Sequence, residues 1–149
     1  MKIAIANDHR GYQTKLKIKS ILEKKGYEII DIGTDSEKRV DHPVYAFKLC
    51  DYVKAHNVLG IAICGTGLGM SIDCNKVKGI RCAKIDNVDE ARSAKEHNNA
   101  NVLAFSAQSH TAKEIKEMID IFINSTFNID PRYKMRIEQV EKYEETNEY

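Results

Sequence analysis

The stretch that most constrains the fold is Leu59–Gly69, which reads LGIAICGTGLG. A short apolar run containing β-branched residues is typical of a buried strand, and this run breaks at Cys64 into a glycine-rich turn. Met70-Ser71-Ile72 predicts a helix that begins just beyond the turn. Because α/β proteins bind their ligands where a buried strand runs through such a loop into a helix, we expect the functional site here.

The loop does not match the common nucleotide-binding motifs. A G-x-G-x-x-G motif starting at Gly65 needs a glycine at Met70, and one starting at Gly67 needs a glycine at Ile72. No Lys-Ser/Thr pair follows, as it does in nucleoside-triphosphate loops. Glycines still let backbone N–H groups approach an anion closely. The loop therefore argues against a nucleotide but leaves an anionic group as a candidate ligand.

Cys64 opens this loop, and two interpretations of it stay open. A lone buried cysteine most often serves as a small hydrophobe in the core. At a helix N-terminus, however, the thiolate form of a cysteine is favoured. Cys64 is therefore also a candidate base or nucleophile.

The remaining sequence alternates between predicted strands and helices. Strands are predicted at residues 2–6, 27–32, 59–63, 80–85 and 101–105. Helices are predicted at residues 12–25, 88–97 and 112–122, and from Pro43 onward with Val44, Phe47, Leu49 and Val53 facing inward. This alternation predicts a single α/β domain over residues 1–149, with a Rossmann-like, doubly wound, mostly parallel five-stranded sheet.

The tail, residues 131–149, is charged but carries spaced apolar side chains at Met135, Ile137, Val140 and Tyr143. This spacing predicts a helix with little core of its own to join, which either packs on a second subunit or frays. Arg132 and Arg136 are four residues apart, so they project from one face of that helix. They form either a phosphate clamp or an ordinary solvated flank beside nearby glutamates.

Composition argues against several functional classes. The formal net charge of +1 gives no electrostatic reason for binding nucleic acid or a membrane surface. No apolar stretch approaches the roughly 20 residues that span a bilayer, and the N-terminal residues lack signal-peptide features. The four cysteines include no C-x-x-C pair, so we expect neither a zinc knuckle nor a disulfide framework. A reducing cytoplasm fits this pattern.

Polar side chains stand near the ends of three predicted strands. Asp8-His9 follow the first strand, Cys64 follows the third, and His97-Asn98-Asn99 precede the fifth. Because ligands bind at one edge of an open parallel sheet, we expect these groups to share that edge. Asp8 has an alternative role as a helix N-cap, and His97 as a helix C-terminal residue. His42 and His110 lie in polar loops without an evident partner and are predicted to be surface residues.

Several motifs, in their order and spacing, resemble the ribose/galactose isomerase family, most closely the type B ribose-5-phosphate isomerases. The resemblance runs from Ile3 to about Val140. The motifs that carry it are Ala6–Gly11, Asp31–Thr34, Asp41–Ala46, Ile63–Ile72, Asn75-Lys76, Gly79–Arg81, His97–Ala104, and Arg132 with Arg136.

The resemblance implies an aldose–ketose isomerase of phosphorylated sugars that works without metal, nucleotide or other cofactor. It also implies a homodimer or homotetramer whose active sites combine two subunits. Cys64 is then the base that moves a proton between C2 and C1 through an enediolate. The developing oxyanion is held by the backbone amides of the loop, with Thr66 assisting: Gly65, Gly67, Leu68 and Gly69.

The same resemblance assigns the remaining site residues. His97, together with Asp8, opens the furanose ring, and Asn98 binds the hydroxyls of the intermediate. The phosphate is bound by His9 and by Arg132 and Arg136 of the neighbouring subunit. Tyr45 is expected to line the pocket.

Three departures from the family pattern affect the expected substrate. Asn99 stands where many relatives have aspartate, Gln108 stands where an arginine commonly follows the fifth strand, and residues 128–131 replace a glycine pair. D-ribose 5-phosphate is the expected substrate, with D-ribulose 5-phosphate as product. The alternatives are a six-carbon sugar such as allose 6-phosphate or galactose 6-phosphate, or a non-catalytic sugar-phosphate-binding module.

Overall fold

A computed structural model describes residues 1–149 as one α/β unit. A short 3-10 turn, His9–Gly11, joins the first strand to the first helix. No helix is both long enough and apolar enough to cross a membrane. In chain order the elements are β1 (Lys2–Asn7), α1 (Tyr12–Lys24), β2 (Glu28–Asp31), α2 (His42–His56), β3 (Leu59–Cys64), α3 (Leu68–Cys74), β4 (Cys82–Lys84), α4 (Val88–Glu96), β5 (Val102–Ser106), α5 (Ala112–Asn124) and α6 (Pro131–Thr146).

The five strands form one sheet in the order β2-β1-β3-β5-β4, and every neighbouring pair is parallel. This arrangement confirms the predicted α/β class. Asn7 pairs with Ile63 and Cys64 pairs with Ser106, so β1, β3 and β5 end side by side. The strand order reverses between β1 and β3, which creates the crevice where open α/β sheets bind ligands.

Strict alternation along the central strands divides the core into two unequal faces. Large side chains such as Ile61 and Ile63 point to the face covered by α1, α4 and α5. Small side chains such as Ala4, Ala62 and Cys64 point to the face covered by α2 and α3. Because successive side chains of a strand face opposite sides, Cys64 is directed toward α2 and α3.

The packing of α2 differs in part from the sequence prediction, whereas that of the tail agrees with it. Leu49 and Val53 of α2 are buried as expected, but Val44 is 50% and Phe47 is 42% exposed. Helical spacing identifies an apolar stripe, and this stripe is wider than the surface that the sheet covers. The tail does form a helix, α6, and none of its residues is buried within the chain.

A buried ion pair fixes the end of β2 and the loop after it. Lys15, which is 1% exposed, places its Nζ 3.1 Å from Asp31 Oδ2 and donates to the Thr34 carbonyl at 2.8 Å. Asp31 also accepts a hydrogen bond from the backbone N–H of Gly33 at 3.1 Å. The pair therefore holds α1, β2 and the following loop together.

Replacing Asp31 should therefore destabilise the fold strongly. We expect Asp31→Asn to lower the free energy of unfolding in urea by about 3–5 kcal/mol, because it leaves the buried ammonium of Lys15 uncompensated. Glu28→Gln is the matched control, since Glu28 lies on the same strand and pairs with Lys2 in an exposed contact. Its expected cost is below about 1 kcal/mol. Equal losses in the two variants would contradict this account.

Candidate functional site

The loop that follows β3 is built around the sulfur of Cys64. The Cys64 side chain is 4% exposed, and its Sγ accepts a hydrogen bond from the backbone N–H of Gly67 at 3.2 Å. Gly67 has φ +77°, a left-handed conformation that a side chain disfavours. A Cβ at this position would also lie 3.0 Å from the backbone carbon of Phe105. The glycine thus lets the loop turn under β5 and point an N–H at the thiol.

A cavity of about 410 Å³ opens over this loop at the carboxyl ends of β1 and β3. Its walls come from the β1–α1 turn, the loop before α2, the first residue of α2, the end of β3 with the loop after it, and the first turn of α3. Most lining residues are polar or charged. They are Asp8, His9, Arg10, Arg39, Val40, Asp41, His42, Cys64, Gly65, Thr66 and Gly69.

Asp8 and His9 hold two walls of this cavity in place. Asp8 Oδ1 caps the 3-10 turn by accepting from the backbone N–H groups of Arg10 at 2.9 Å and Gly11 at 3.1 Å. Asp8 therefore both caps the turn and lines the cavity. His9 Nδ1 accepts from the backbone N–H of Val40 at 3.2 Å, which ties the loop before α2 to the β1–α1 turn.

Arg10 is a site residue that the sequence reasoning missed. Its Nη2 donates to Gln108 Oε1 at 2.7 Å, so the residue that departs from the family pattern anchors a cation from another loop. A Cβ at residue 65 would lie 2.6 Å from Arg10 Cζ, which shows that the guanidinium covers Gly65. The sequence carries one signal for this role of Arg10: an arginine follows β1 in a chain that lacks the arginine commonly found after the fifth strand.

The prediction that His42 is a surface residue without a partner is wrong. His42 begins α2, lines the cavity, and its Nδ1 lies 2.5 Å from Asp73 Oδ2 on α3. His110 also has partners, since its Nε2 lies 3.1 Å from Asp86 Oδ1, but it lies outside this cavity. Tyr45, which was expected to line the pocket, is absent from its walls and packs against the α2–α3 core instead.

His97 and Asn98 lie at the opposite edge of the sheet from Cys64, which corrects the expectation of a shared edge. Residues that precede a parallel strand meet its amino end, and β5 spans five residues, or roughly 16 Å. His97 caps the C-terminus of α4 and stacks on Tyr133 of α6, with 4.6 Å between the ring centroids. A second cluster therefore forms at the amino edge of the same chain.

The two arginines of α6 belong to this amino-edge cluster. Arg136 Cζ lies 5.7 Å from the centroid of the Tyr133 ring, so it adjoins the ring that stacks on His97. Arg132 donates to both carboxylate oxygens of Asp130, from Nε at 3.1 Å and from Nη2 at 2.7 Å. These hydrogen bonds hold the pKa of Asp130 at about 2. The carboxylate thus stays charged and orients the Arg132 guanidinium.

The fold and the cavity define an α/β protein with a polar site for a small ligand at the carboxyl edge of its sheet. The family model of the ribose/galactose isomerases matches residues 3–140. The chain therefore belongs to the ribose/galactose isomerase family, as the sequence motifs predicted.

Solved structures and relatives of this family match nearly the whole chain. Ribose-5-phosphate isomerase B of Clostridium thermocellum gives a TM-score of 0.94 at 39% identity, covering 99% of this chain and 100% of that one. The Mycoplasma genitalium ribose-5-phosphate isomerase B, with bound ribulose-5-phosphate, gives 0.91 at 36% identity and covers 97% of each. Subunit LacB of the galactose-6-phosphate isomerase of Clostridium acetobutylicum is 38% identical over 128 residues, covering 85% of this chain and 74% of that one.

The loop geometry predicts that Gly67 tolerates no side chain. We expect Gly67→Ala to reduce the free energy of unfolding by about 1–3 kcal/mol more than Gly26→Ala, because its methyl group also overpacks the backbone of β5. Gly26 is a matched control, with φ +93° and no atom within 4 Å of an added Cβ. Its substitution should cost about 1–2 kcal/mol through backbone conformation alone. Equal costs in urea denaturation would show that the predicted contact with Phe105 is unimportant.

Proposed function

We propose that this protein interconverts D-ribose 5-phosphate and D-ribulose 5-phosphate through an enediolate, with Cys64 as the base. The observation that carries the proposal is the Cys64 thiol, buried at the floor of a polar cavity and bonded to a loop amide. Membership of the ribose/galactose isomerase family supports an isomerase of sugar phosphates. The bound ribulose-5-phosphate in the Mycoplasma genitalium relative supports the five-carbon substrate.

Cys64 has the surroundings that a carbon base requires. The Gly67 N–H donates to its Sγ, so the sulfur faces a backbone amide of the loop. The sulfur precedes α3, whose N-terminal end is the positive end of the helix dipole. A thiolate in this position takes the proton from C2 of the aldose and returns it to C1.

The loop from Gly65 to Gly69 is the proposed oxyanion site. When the C2 proton leaves, negative charge develops on O1, and preorganised backbone N–H groups stabilise such charge most effectively. Thr66 lines the cavity, and its Oγ1 accepts from the backbone N–H of Leu68 at 3.3 Å. This bond fixes the turn in which the loop amides are held.

The ring-opening and phosphate-binding groups are proposed to come from two copies of the chain. Cys64 and Asp8 lie at the carboxyl edge of the sheet, whereas His97 and Arg136 lie with α6 at the amino edge. One chain cannot bring these edges together around a single small sugar. A second copy that docks its amino edge against the cavity supplies His97 and Asn98 for ring opening, together with the arginines.

Uncovered apolar side chains support this docking. On α6, Met135, Val140 and Tyr143 are each about half exposed, with values of 49%, 50% and 52%. Beside the cavity, Leu68 and Ile72 of α3 are exposed by 54% and 59%. Clustered exposed apolar residues mark protein interfaces, and α6 has no buried residue within its own chain.

His9, Arg132 and Arg136 are the proposed phosphate ligands. Since His9 Nδ1 accepts from Val40, the neutral ring carries its proton on Nε2, which is then free to donate to a phosphate oxygen. The arginines of α6 add charged donors from the second copy. Arg10, which Gln108 holds over Gly65, provides a cation on the side where relatives commonly have an arginine after the fifth strand.

Turnover of purified protein on ribose 5-phosphate is the direct test of this proposal. We expect ketose formation by the wild type and a loss of at least about 10³-fold in kcat in Cys64→Ala, because the carbon base is gone. Cys82→Ala is the matched control, since Cys82 is a half-buried thiol on β4 outside the cavity. It should retain kcat within about twofold, a change of less than about 0.5 kcal/mol. Retained turnover in Cys64→Ala would refute Cys64 as the base.

A six-carbon sugar phosphate is the second candidate substrate, because the chain is 38% identical to the LacB subunit of a galactose-6-phosphate isomerase. Parallel assays with allose 6-phosphate and galactose 6-phosphate separate the two candidates. A higher kcat/KM for either six-carbon sugar would keep the reaction type and replace the substrate. If none of the three sugar phosphates were turned over, the result would favour a non-catalytic sugar-phosphate-binding module.

The phosphate role of α6 makes a separate prediction. Arg136→Ala should raise KM for ribose 5-phosphate about tenfold or more, because a charge-assisted hydrogen bond contributes about 1.5–3 kcal/mol. Lys134→Ala is the control, as Lys134 is another exposed cation of α6 and pairs with Glu138. Steady-state kinetics of both variants provide the measurement. Equal KM values for the two variants would make α6 a purely structural element.

A further inference from the structure

We propose that His42 is an acid–base residue of this site, that its Nε2 moves a proton between the sugar oxygens O2 and O1, and that Asp73 orients it. This inference deepens the proposed isomerase function and rests on it. Neither His42 nor Asp73 takes part in the proton transfer between carbons that is proposed for Cys64.

His42 and Asp73 come together on the face of the sheet toward which Cys64 points. His42 is the first residue of α2, and Asp73 is near the end of α3. Both helices pack against the face formed by the small side chains of the strands, which includes Cys64. Two helices therefore bring together an imidazole in the wall of the cavity that contains the proposed base and a carboxylate bonded to it.

The hydrogen bond between the two side chains fixes the state of the imidazole. His42 Nδ1 lies 2.5 Å from Asp73 Oδ2, and the Asp73 side chain is only 13% exposed. Because a carboxylate only accepts, Nδ1 carries the proton and a neutral ring keeps its lone pair on Nε2. Nε2 has no hydrogen-bond partner within the chain, so it is free for a ligand.

The free edge of the ring lies against the proposed oxyanion loop. A Cβ at Gly69 would lie 2.9 Å from both Cε1 and Nε2 of His42. A glycine at this position therefore allows the ring edge to approach the last amide of the loop. An oxygen held by that amide has His42 Nε2 as a neighbour.

The reaction contains a proton transfer that Cys64 does not perform. Converting the aldose to the ketose moves one proton from C2 to C1, and a second from the O2 hydroxyl to O1. Nε2 accepts the O2 proton as the carbonyl forms at C2, and it donates that proton to O1. Asp73 stabilises the transient imidazolium, and the cycle returns His42 to its neutral form.

A purely structural role for the pair, joining α2 to α3, makes different kinetic predictions. We expect His42→Gln, which retains a hydrogen-bonding group near Nε2 but cannot transfer the proton, to lower kcat by about 10²–10⁴-fold. KM should stay within about threefold, because the phosphate contacts remain. His42→Asn retains a donor toward Asp73 but does not reach the substrate, and it should lose kcat similarly. Asp73→Asn should lower kcat less, by about tenfold, which corresponds to about 1.4 kcal/mol.

His110→Gln is the matched control because His110 also pairs with a carboxylate, Asp86, but lies outside the cavity. It should keep both kcat and KM. If the kcat of His42→Gln stayed within about twofold of the wild-type value, a change of less than about 0.5 kcal/mol in the activation free energy, the proposal would be overturned.

An NMR titration tests the contact independently of turnover. In ¹⁵N-histidine-labelled Cys64→Ala protein, ribose 5-phosphate should shift the His42 Nε2 resonance, which His42→Gln assigns by its loss. Wild-type turnover without this shift would overturn the role of His42 while leaving the isomerase function intact. A shift in a protein whose wild type converts no sugar phosphate would refute the isomerase function and support the contact. If the wild type showed no turnover and the labelled protein showed no shift, both the isomerase function and the role of His42 would be overturned.

Discussion

The alternation of large and small side chains along the central strands is the constraint on which the site depends. Ile61 and Ile63 place large side chains on one face of the sheet, whereas Ala4 and Ala62 place small side chains on the other. The small side chains let α2 and α3 approach the sheet closely, and Cys64 is the last of these small side chains on β3. The thiol therefore lies at the end of the strand, where the two helices begin to enclose a cavity. A one-residue change of register would turn the thiol to the opposite face.

A parallel sheet has two edges of different character, and polar clusters lie at both edges of this one. The carboxyl edge holds the cavity with Cys64, Asp8 and His42. The amino edge holds His97 stacked on Tyr133, beside Arg136. Neither edge alone contains the proposed base, the proposed ring-opening histidine and the proposed phosphate-binding arginines. The proposed site between two copies would cover the half-exposed apolar side chains of α6, a helix that has no buried residue within its own chain.

The fold class and the loop after β3 are predictable from the sequence, because both follow from local patterns: short apolar runs, helical spacing of apolar residues and the position of glycines. Prediction from the sequence fails where the outcome depends on distant residues or on direction. The sequence does not reveal that His42 has a partner, because Asp73 lies 31 positions away. The expectation that His97 shares an edge with Cys64 is wrong because a residue before a parallel strand meets its amino end. Val44 was expected to be buried because helical spacing does not reveal how far the sheet extends.

Mixing two inactive variants tests the central claim, a site shared between two copies, most directly. Cys64→Ala and His97→Ala proteins are unfolded together and refolded, so that their subunits combine at random. In a mixed dimer, one site then receives both substitutions and the other receives neither. The shared-site account predicts recovery of about one quarter of wild-type turnover on ribose 5-phosphate, since half the dimers are mixed and half their sites are intact. Mixtures no more active than the separate variants would contradict it.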